Sequence, residues 1–449
     1  MRETISFSAC ALILQLSYLI SASVLSSNKA SVPSDDSDLV DPTGSYGKVC
    51  VVRPAPNNTD SVSKIESAFD LCGRSNTPTS RGLIIFPENE TYHIASFMDT
   101  TSLAHVDINH KGTFLWSTDI DYWLTHSQPV GYQNQSSAWY FGGHDIRWFG
   151  GGVGTLDGNG QVWYDFINGQ SNYPRRPHQV TIRNTTDSVI EGLRFVQSQM
   201  WTMTVISSEN ILLQDIYVNS TSNHSISMSN TDGADTVYAN NITFRRWIVE
   251  NGDDAIALKA NSTNILIEDC EFYRGVGLAM GSIGQFNNTF ETIENVTARN
   301  IITHNTDWGA YIKTWTGVSK GYSPNGGGGG IGYVSNLTFE DFTLDRTRGI
   351  FSITQCTNYE GNGGDCDTSK FNVHDVTIRD WRGTSLTGVV GQLQCSAASP
   401  CYGLDMQDVQ ITVADSGDAA TEYLCDSVEA PIGFSCTGPI VGENNAFTP

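Results

Sequence analysis

Asn264-Ile265-Leu266-Ile267-Glu268-Asp269 is one copy of a short pattern that recurs along the chain: a polar residue, a strand-like run, then an acid or amide. Other copies are Asn210-Ile211-Leu212-Leu213-Gln214-Asp215, Asn241-Ile242-Thr243-Phe244, Asn295-Val296-Thr297-Ala298-Arg299-Asn300, Asn336-Leu337-Thr338-Phe339-Glu340-Asp341 and Asp375-Val376-Thr377-Ile378-Arg379-Asp380. Asp187-Ser188-Val189-Ile190 is a weaker, earlier copy. Two spacings are 23 residues (187 to 210 and 241 to 264), and the others are longer. A period in the low twenties, with β-branched strands between Asn and Gly turns, is the mark of a solenoid. Leucine-rich repeats share that period but need a leucine frame that is missing. The pattern therefore predicts an all-β, right-handed parallel β-helix with strands stacked about 4.8 Å apart. Uneven spacings put insertions into the turns beside one face, where a binding cleft would form.

Composition agrees. Only 16% of the 449 residues are charged, against 43 glycines, which suits a protein of many turns. A single core rarely organises so long a chain, but a solenoid escapes the limit because each coil packs only on its neighbours. Asp60 to Leu71 has helical periodicity with Asp60 as cap, and is expected to cover the N-terminal end of the stack. Arg2 followed by the apolar run Ile5 to Leu25 reads as a signal peptide, residues 1–25, ahead of one catalytic domain, 26–449. A membrane anchor is the competing reading, opposed by Ser6, Ser8, Gln15 and Ser17 inside the run. Sequons at Asn57, Asn89, Asn134, Asn184, Asn219, Asn223, Asn241, Asn261, Asn287, Asn295 and Asn336 fit a secreted glycoprotein, although several belong to the repeat itself.

Once Cys10 leaves with the leader, nine of the ten cysteines remain. Short spacings suggest Cys50–Cys72, Cys356–Cys366, Cys395–Cys401 and Cys425–Cys436, with Cys270 free and buried. No Cys-x-x-Cys pair has zinc spacing, so no metal is expected. Net charge is −23, from 48 acids against 25 bases, which excludes a general nucleic-acid binder. An acidic protein also repels a polyanionic substrate near neutrality, a conflict that eases in acid.

Chemistry concentrates between Asn230 and Trp315. Asn230-Thr231-Asp232-Gly233 is followed by Asn251-Gly252-Asp253-Asp254, 21 residues from Asp232 to Asp253, which is about one coil. Three carboxyls would thus share one face, each raising the others' pKa. Glycoside hydrolysis exploits such a set, since one carboxyl must stay protonated while another is ionised. Asp and Asn also fill plain turns, and clustered carboxylates can bind calcium. Lys259 and Lys313 lie on the outward side of their strands, opposite Ile256, Leu258 and Ile312. They serve either as compensating charges or to hold a substrate carboxylate. Trp139, Tyr140, Trp163, Tyr164, Trp201 and Trp315 are candidate sugar platforms that could equally be core, and the run Gly326 to Gly330 reads as a turn.

Asn230-Thr231-Asp232, Gly252-Asp253-Asp254 and Ile312-Lys313, in this order, resemble the signature of glycoside hydrolase family 28, the polygalacturonases. Gly154-Thr155-Leu156-Asp157-Gly158-Asn159-Gly160 with Trp163 is similar to that family's early turn. The resemblance implies an inverting hydrolase that needs no cofactor. It makes Asp253 the general acid, Asp232 and Asp254 the residues that polarise water, and Lys313, Tyr311 and Lys259 substrate-binding. Two departures stand out: the family's Gly-His-Gly is Gly275-Val276-Gly277, and its Arg-Ile-Lys is Tyr311-Ile312-Lys313. A guanidinium able to grip a carboxylate bidentately is therefore absent from that position. The resemblance is to the fungal exo-acting branch, implying a monomeric secreted enzyme on the chain ends of polygalacturonate or rhamnogalacturonan, without nucleic-acid or membrane partners. Terminal galacturonate is the first expectation and terminal rhamnose the second, with the turns between Gly317 and Gly332 closing one end of the cleft. A lyase would need a calcium site and a base for carbon 5, which the Asp253–Asp254 pair with Lys313 does not supply. A non-catalytic β-helix binding protein is the third class.

Overall fold

A computed structural model describes residues 46–318, 327–357 and 366–440. The leader reading falls outside these residues, as does Gly326. They form a right-handed parallel β-helix in which three stacks of strands run side by side. The first stack passes through Val180–Arg183, Met203–Ile206, Ala234–Val237, Asp254–Leu258, Gly277–Ile283, Ala310–Trp315 and Phe351–Thr357. The second contains the recurring pattern: Thr186–Glu191, Glu209–Gln214 and Asn240–Arg245, then the opening halves of Ser262–Arg274, Phe290–His304, Ile331–Thr347 and Lys370–Ser385. The third runs through Thr155–Asp157, Arg194–Val196, Tyr217–Asn219 and Ile248–Asn251 into the closing half of Ser262–Arg274.

The recurring pattern is legible in its backbone. Its first residue sits in the left-handed region in every copy, from Asn210 (φ 56°) through Asn241, Asn264 and Asn295 to Asn336 and Asp375 (φ 55°). Its last residue does the same at Asp215, Asp269, Asn300, Asp341 and Asp380. Asn and Asp tolerate this conformation better than other residues with a side chain. Each copy is thus one short strand bounded by two sharp corners. The corner amides bond along the axis: Asn210 Nδ2 donates to Asp187 at 2.9 Å, Asn241 to Asn210 at 2.8 Å, Asn295 to Asn264, and Asn336 to Asn295 at 3.2 Å.

Between the corners the inward positions stack. Ile211, Ile242, Ile265, Val296, Leu337 and Val376 form one buried column, and Leu213, Phe244, Ile267, Ala298, Phe339 and Ile378 a second. Burying each such side chain is worth about 1.5–3 kcal/mol. The second stack alternates buried and partly exposed residues, but in the first stack the strands from Ala234 to Trp315 are buried at every position. Its inner side faces the core, and its outer side is roofed by loops. The candidate residues named from the sequence lie under that roof.

The N-terminal helix forms as Val62–Ala68 and continues into the turn Phe69–Gly73. Asp60 accepts the N–H of Val62 at 3.2 Å and also holds Ala95 and Ser96 of the next coil. Four disulfides join the cysteines paired by spacing, and Cys270 is a free, buried thiol whose pKa burial pushes up to about 12. Among the described residues no helix is long and apolar enough to cross a membrane.

Candidate active site

The three aspartates lie at the corner where the third stack turns into the first. Asp232 precedes Ala234–Val237, while Asp253 follows Ile248–Asn251 and Asp254 opens Asp254–Leu258. Two side chains lock these coils together. Asn251 Nδ2 donates to the carbonyls of Thr231 (2.9 Å) and Asp254 (2.8 Å), and the N–H of Gly252 donates to Thr231 Oγ1 at 3.0 Å. A Cβ on Gly252 would lie 2.8 Å from the carbonyl oxygen of Met228, so glycine is needed for this approach. Each of the three carboxyls offers one oxygen such that all lie within 4.8 Å of one another, and each group is at most 4% exposed.

Their surroundings differ. Asp253 accepts the backbone N–H of Asn230 at 2.8 Å and of Asp254 at 2.9 Å. Burial, then the charge of Asp254, still raises its pKa. Burial, then Asp253, Asp235 and Asp254, raises Asp232 well above the usual carboxyl range. Asp254 accepts from Lys313 Nζ at 2.9 Å and from the hydroxyl of Tyr311, and that hydroxyl in turn accepts from Lys313 at 2.7 Å. Lys259 Nζ lies 3.7 Å from Asp254 and 3.2 Å from Asp235, and donates to the carbonyl of Gly281 at 2.9 Å.

All six residues named from the sequence therefore meet: Asp232, Asp253, Asp254, Lys259, Tyr311 and Lys313. Both lysines point away from the core, as strand alternation requires. They are not solvent-facing, however, being only 3% and 6% exposed under the loop roof and turned onto the carboxylates. Gln133, Ser171, Asn172, Trp201 and Asn230 complete the recess. Of the aromatic candidates only Trp201 lines it, stacked on His178 at 4.3 Å with Lys259 5.2 Å from its ring. Trp139, Trp163, Tyr164 and Trp315 are buried among other residues, and Tyr140 sits elsewhere under Arg183. Where the family pattern has its histidine and arginine, Val276 and Tyr311 pack with Trp308, Ala257 and Ala279 into an apolar cluster. At the described end of the glycine run Gly327 lies against Trp315, and Gly328 donates to the carbonyl of Gln285.

Three charged or titratable groups went unread in the sequence. Asp235 is fully buried one coil before Ala257, in line with Tyr311, and burial raises its pKa to about 7. Arg176 is buried beneath Asp232 and Asp253, donating to the carbonyls of Ser229 (2.8 Å) and Gln199, with its pKa lowered by burial to about 10. His178 is held neutral by burial and by the charges of Arg176 and Lys259. None of the three belongs to a recurring pattern, and only the coil register brings them to the aspartates.

The family described as "Glycosyl hydrolases family 28" matches residues 106–436. The Aspergillus niger protein named "Alpha-L-rhamnosidase rgxB" is 47% identical over 394 residues, covering 87% of this chain and 90% of its own length. "Exopolygalacturonase X-1" of Emericella nidulans is 32% identical over 397 residues, covering 87% and 88%. The crystal structure of an endo-xylogalacturonan hydrolase from Aspergillus tubingensis superposes with a TM-score of 0.73 at 25% identity, covering 88% of this chain and all of the other. Matched along most of its length by that family and 47% identical to one of its relatives, the chain belongs to glycosyl hydrolase family 28 and is a glycoside hydrolase.

Proposed function

We propose that the protein is an exported chain-end hydrolase of pectic polysaccharide that releases terminal rhamnose. One observation carries the choice of sugar: both cations of the recess are turned onto Asp254, Lys313 at 2.9 Å and Lys259 at 3.7 Å. The rest of the wall is neutral: Gln133, Ser171, Asn172, Asn230 and Trp201. A uronate would find these cations already turned onto a carboxylate, and Tyr311 offers no guanidinium to grip it bidentately. A neutral deoxy sugar needs neither. The resemblance to the rhamnosidase over nearly its whole length supports the same sugar. Galacturonate, the first expectation from the motifs, is the second reading, favoured by the exopolygalacturonase relative.

In the reaction, Asp253 donates its proton to the glycosidic oxygen as the bond to the anomeric carbon breaks. Burial keeps that proton in place above the ordinary carboxyl pKa. Water held by Asp232 and Asp254 attacks the opposite side of the sugar and passes a proton to a carboxylate. Lys313 and Tyr311 orient Asp254 through their contacts with its two oxygens. One oxygen of each carboxyl lies within 4.8 Å of the others, a nearest-oxygen span and not the separation of whole carboxyl groups that distinguishes inverting from retaining enzymes. Inversion is therefore carried by the motif resemblance, and NMR of the first-formed anomer tests it.

Product analysis tests the sugar. Incubation with rhamnogalacturonan oligomers bearing a terminal rhamnose should release free rhamnose, with little from oligogalacturonates. Galacturonate from the second substrate, with no rhamnose from the first, would reverse the assignment.

A further inference from the structure

We infer that the segment Gln128 to Gln135 is a strap that closes the recess toward the earlier coils, enforces action at chain ends, and reads the terminal sugar through Gln133. The inference rests on the chain-end reading above. The sequence pointed instead to the turns between Gly317 and Gly332 for this wall.

The strap is a small hairpin. Gln128–Pro129 pairs antiparallel with Ser136–Ser137, which in turn pairs with Pro177–His178. Val130 N donates to the carbonyl of Gln135 at 2.8 Å, and Gln133 (φ 48°) and Asn134 (φ 56°) make the sharp bend. From there the strap lies along the roof of the first stack. Val130 and Tyr132, 1% and 4% exposed, cover Ile206, Val237 and Ala260, with Phe286 packed beside them. Ile206 and Val237 are register partners on the two strands just before the one that leads into Lys259. A polymer threaded past both sides of the recess along the solenoid would have to cross those two residues. Tyr132 and Val130 already occupy that path.

Both ends of the strap are tied to the site. Gln133 Nε2 donates to Gln285 Oε1 at 2.9 Å, a buried bond bridging many coils in sequence, and Tyr132 meets Phe286 edge-on at 5.8 Å. On the other side Gln135 Nε2 donates to Asn172 Oδ1 at 3.1 Å, Asn172 N to Asn230 Oδ1 at 2.6 Å, and Asn230 N to Asp253 at 2.8 Å. The strap is therefore positioned relative to the carboxyl assigned as the acid. Gln133 itself lines the recess. Its amide uses one N–H on Gln285 and retains a second N–H and a carbonyl oxygen for a hydroxyl of the terminal residue.

The test compares wild type with two variants on long rhamnogalacturonan: one with Val130 to Gln135 replaced by a two-glycine turn, and Gln133→Ala. Folding is checked by circular dichroism. The shortened variant should produce mid-sized oligomers early, at least about tenfold above wild type relative to monosaccharide. Gln133→Ala should raise KM for terminal release about three- to tenfold, the value of one neutral hydrogen bond, with kcat held within about twofold. Should the shortened variant not fold, the double variant Val130→Ser/Tyr132→Ser, which only loosens the strap, must show the same oligomers. Wild type that itself makes oligomers early would refute the chain-end reading. Wild type and folded strap variants that all release monosaccharide alone would overturn the strap.

Discussion

Asp235 offers a quantitative check on the charge arrangement. It is fully buried, burial raises its pKa from an ordinary 3.8 to about 7, and the attraction of Lys259 only partly offsets that rise. A carboxyl whose pKa is higher in the folded than in the unfolded chain contributes stability that is complete below the unfolded value and is lost as pH climbs through the folded one. Each tenfold change in proton affinity corresponds to about 1.4 kcal/mol, so the rise from 3.8 to about 7 amounts to at most about 4 kcal/mol. Asp235→Asn removes the titration while keeping the shape. Urea unfolding of both proteins from about pH 4 to about pH 8 should then give curves that converge or cross. The variant should gain on wild type by up to about 4 kcal/mol as pH rises, mostly between about pH 4 and pH 7. A constant offset would report only packing, so the slope is what matters. Parallel curves, or a variant that loses ground with rising pH, would refute the assignment of Asp235 as a protonated buried carboxyl in acid.

Asp253→Asn should fold normally and lose about 10²–10⁴ in turnover, the usual value of general acid catalysis; a folded variant with half the wild-type rate would remove Asp253 from that role. The rate should follow a bell centred in acid. Its alkaline limb should lie above the ordinary carboxyl range, because burial raises Asp253, the acid, which loses its proton only at higher pH. A maximum above neutrality in a pH–rate profile would contradict this. Asn264→Val, at φ 56°, should cost about 1–3 kcal/mol in urea unfolding with activity unchanged, and Asn264→Gly should cost less, because only the first forces a branched side chain into the left-handed region.

The solenoid could be read from sequence because its corners demand particular chemistry. Asn264, Asn295 and Asn336 stand out as repeated amides, since few other residues accept that backbone and none with an apolar side chain continues the amide ladder. The aspartates could be read because one coil along the chain is one strand spacing through space, bringing Asp232 over Asp253. What sequence could not supply was the covering of the outward face. Lys259 and Lys313 do point outward, yet whether they meet water or a carboxylate depends on loops whose paths have no period. The same holds for Trp163 and Trp315, which are enclosed, and Trp201, which lines the recess. Asp235 and Gln133 belong to no motif. Asp235 enters through strand register, and Gln133 through a hairpin that reaches across to Gln285.

The distances between successive corner asparagines have a consequence for how such an enzyme can change. From Asn264 to Asn295 the chain takes 31 residues and from Asn295 to Asn336 it takes 41, yet Ile265, Val296 and Leu337 still fall in one column. Extra chain is expelled at the corners and leaves no trace in the register. Loop-closure entropy grows only slowly with length, so lengthening or trimming a turn is a small thermodynamic event. The carboxyl-bearing rungs and the segments that wall them are therefore separately editable. Descendants of this chain can exchange one sugar or one mode of attack for another by altering the roof, while the aspartates beneath keep their places.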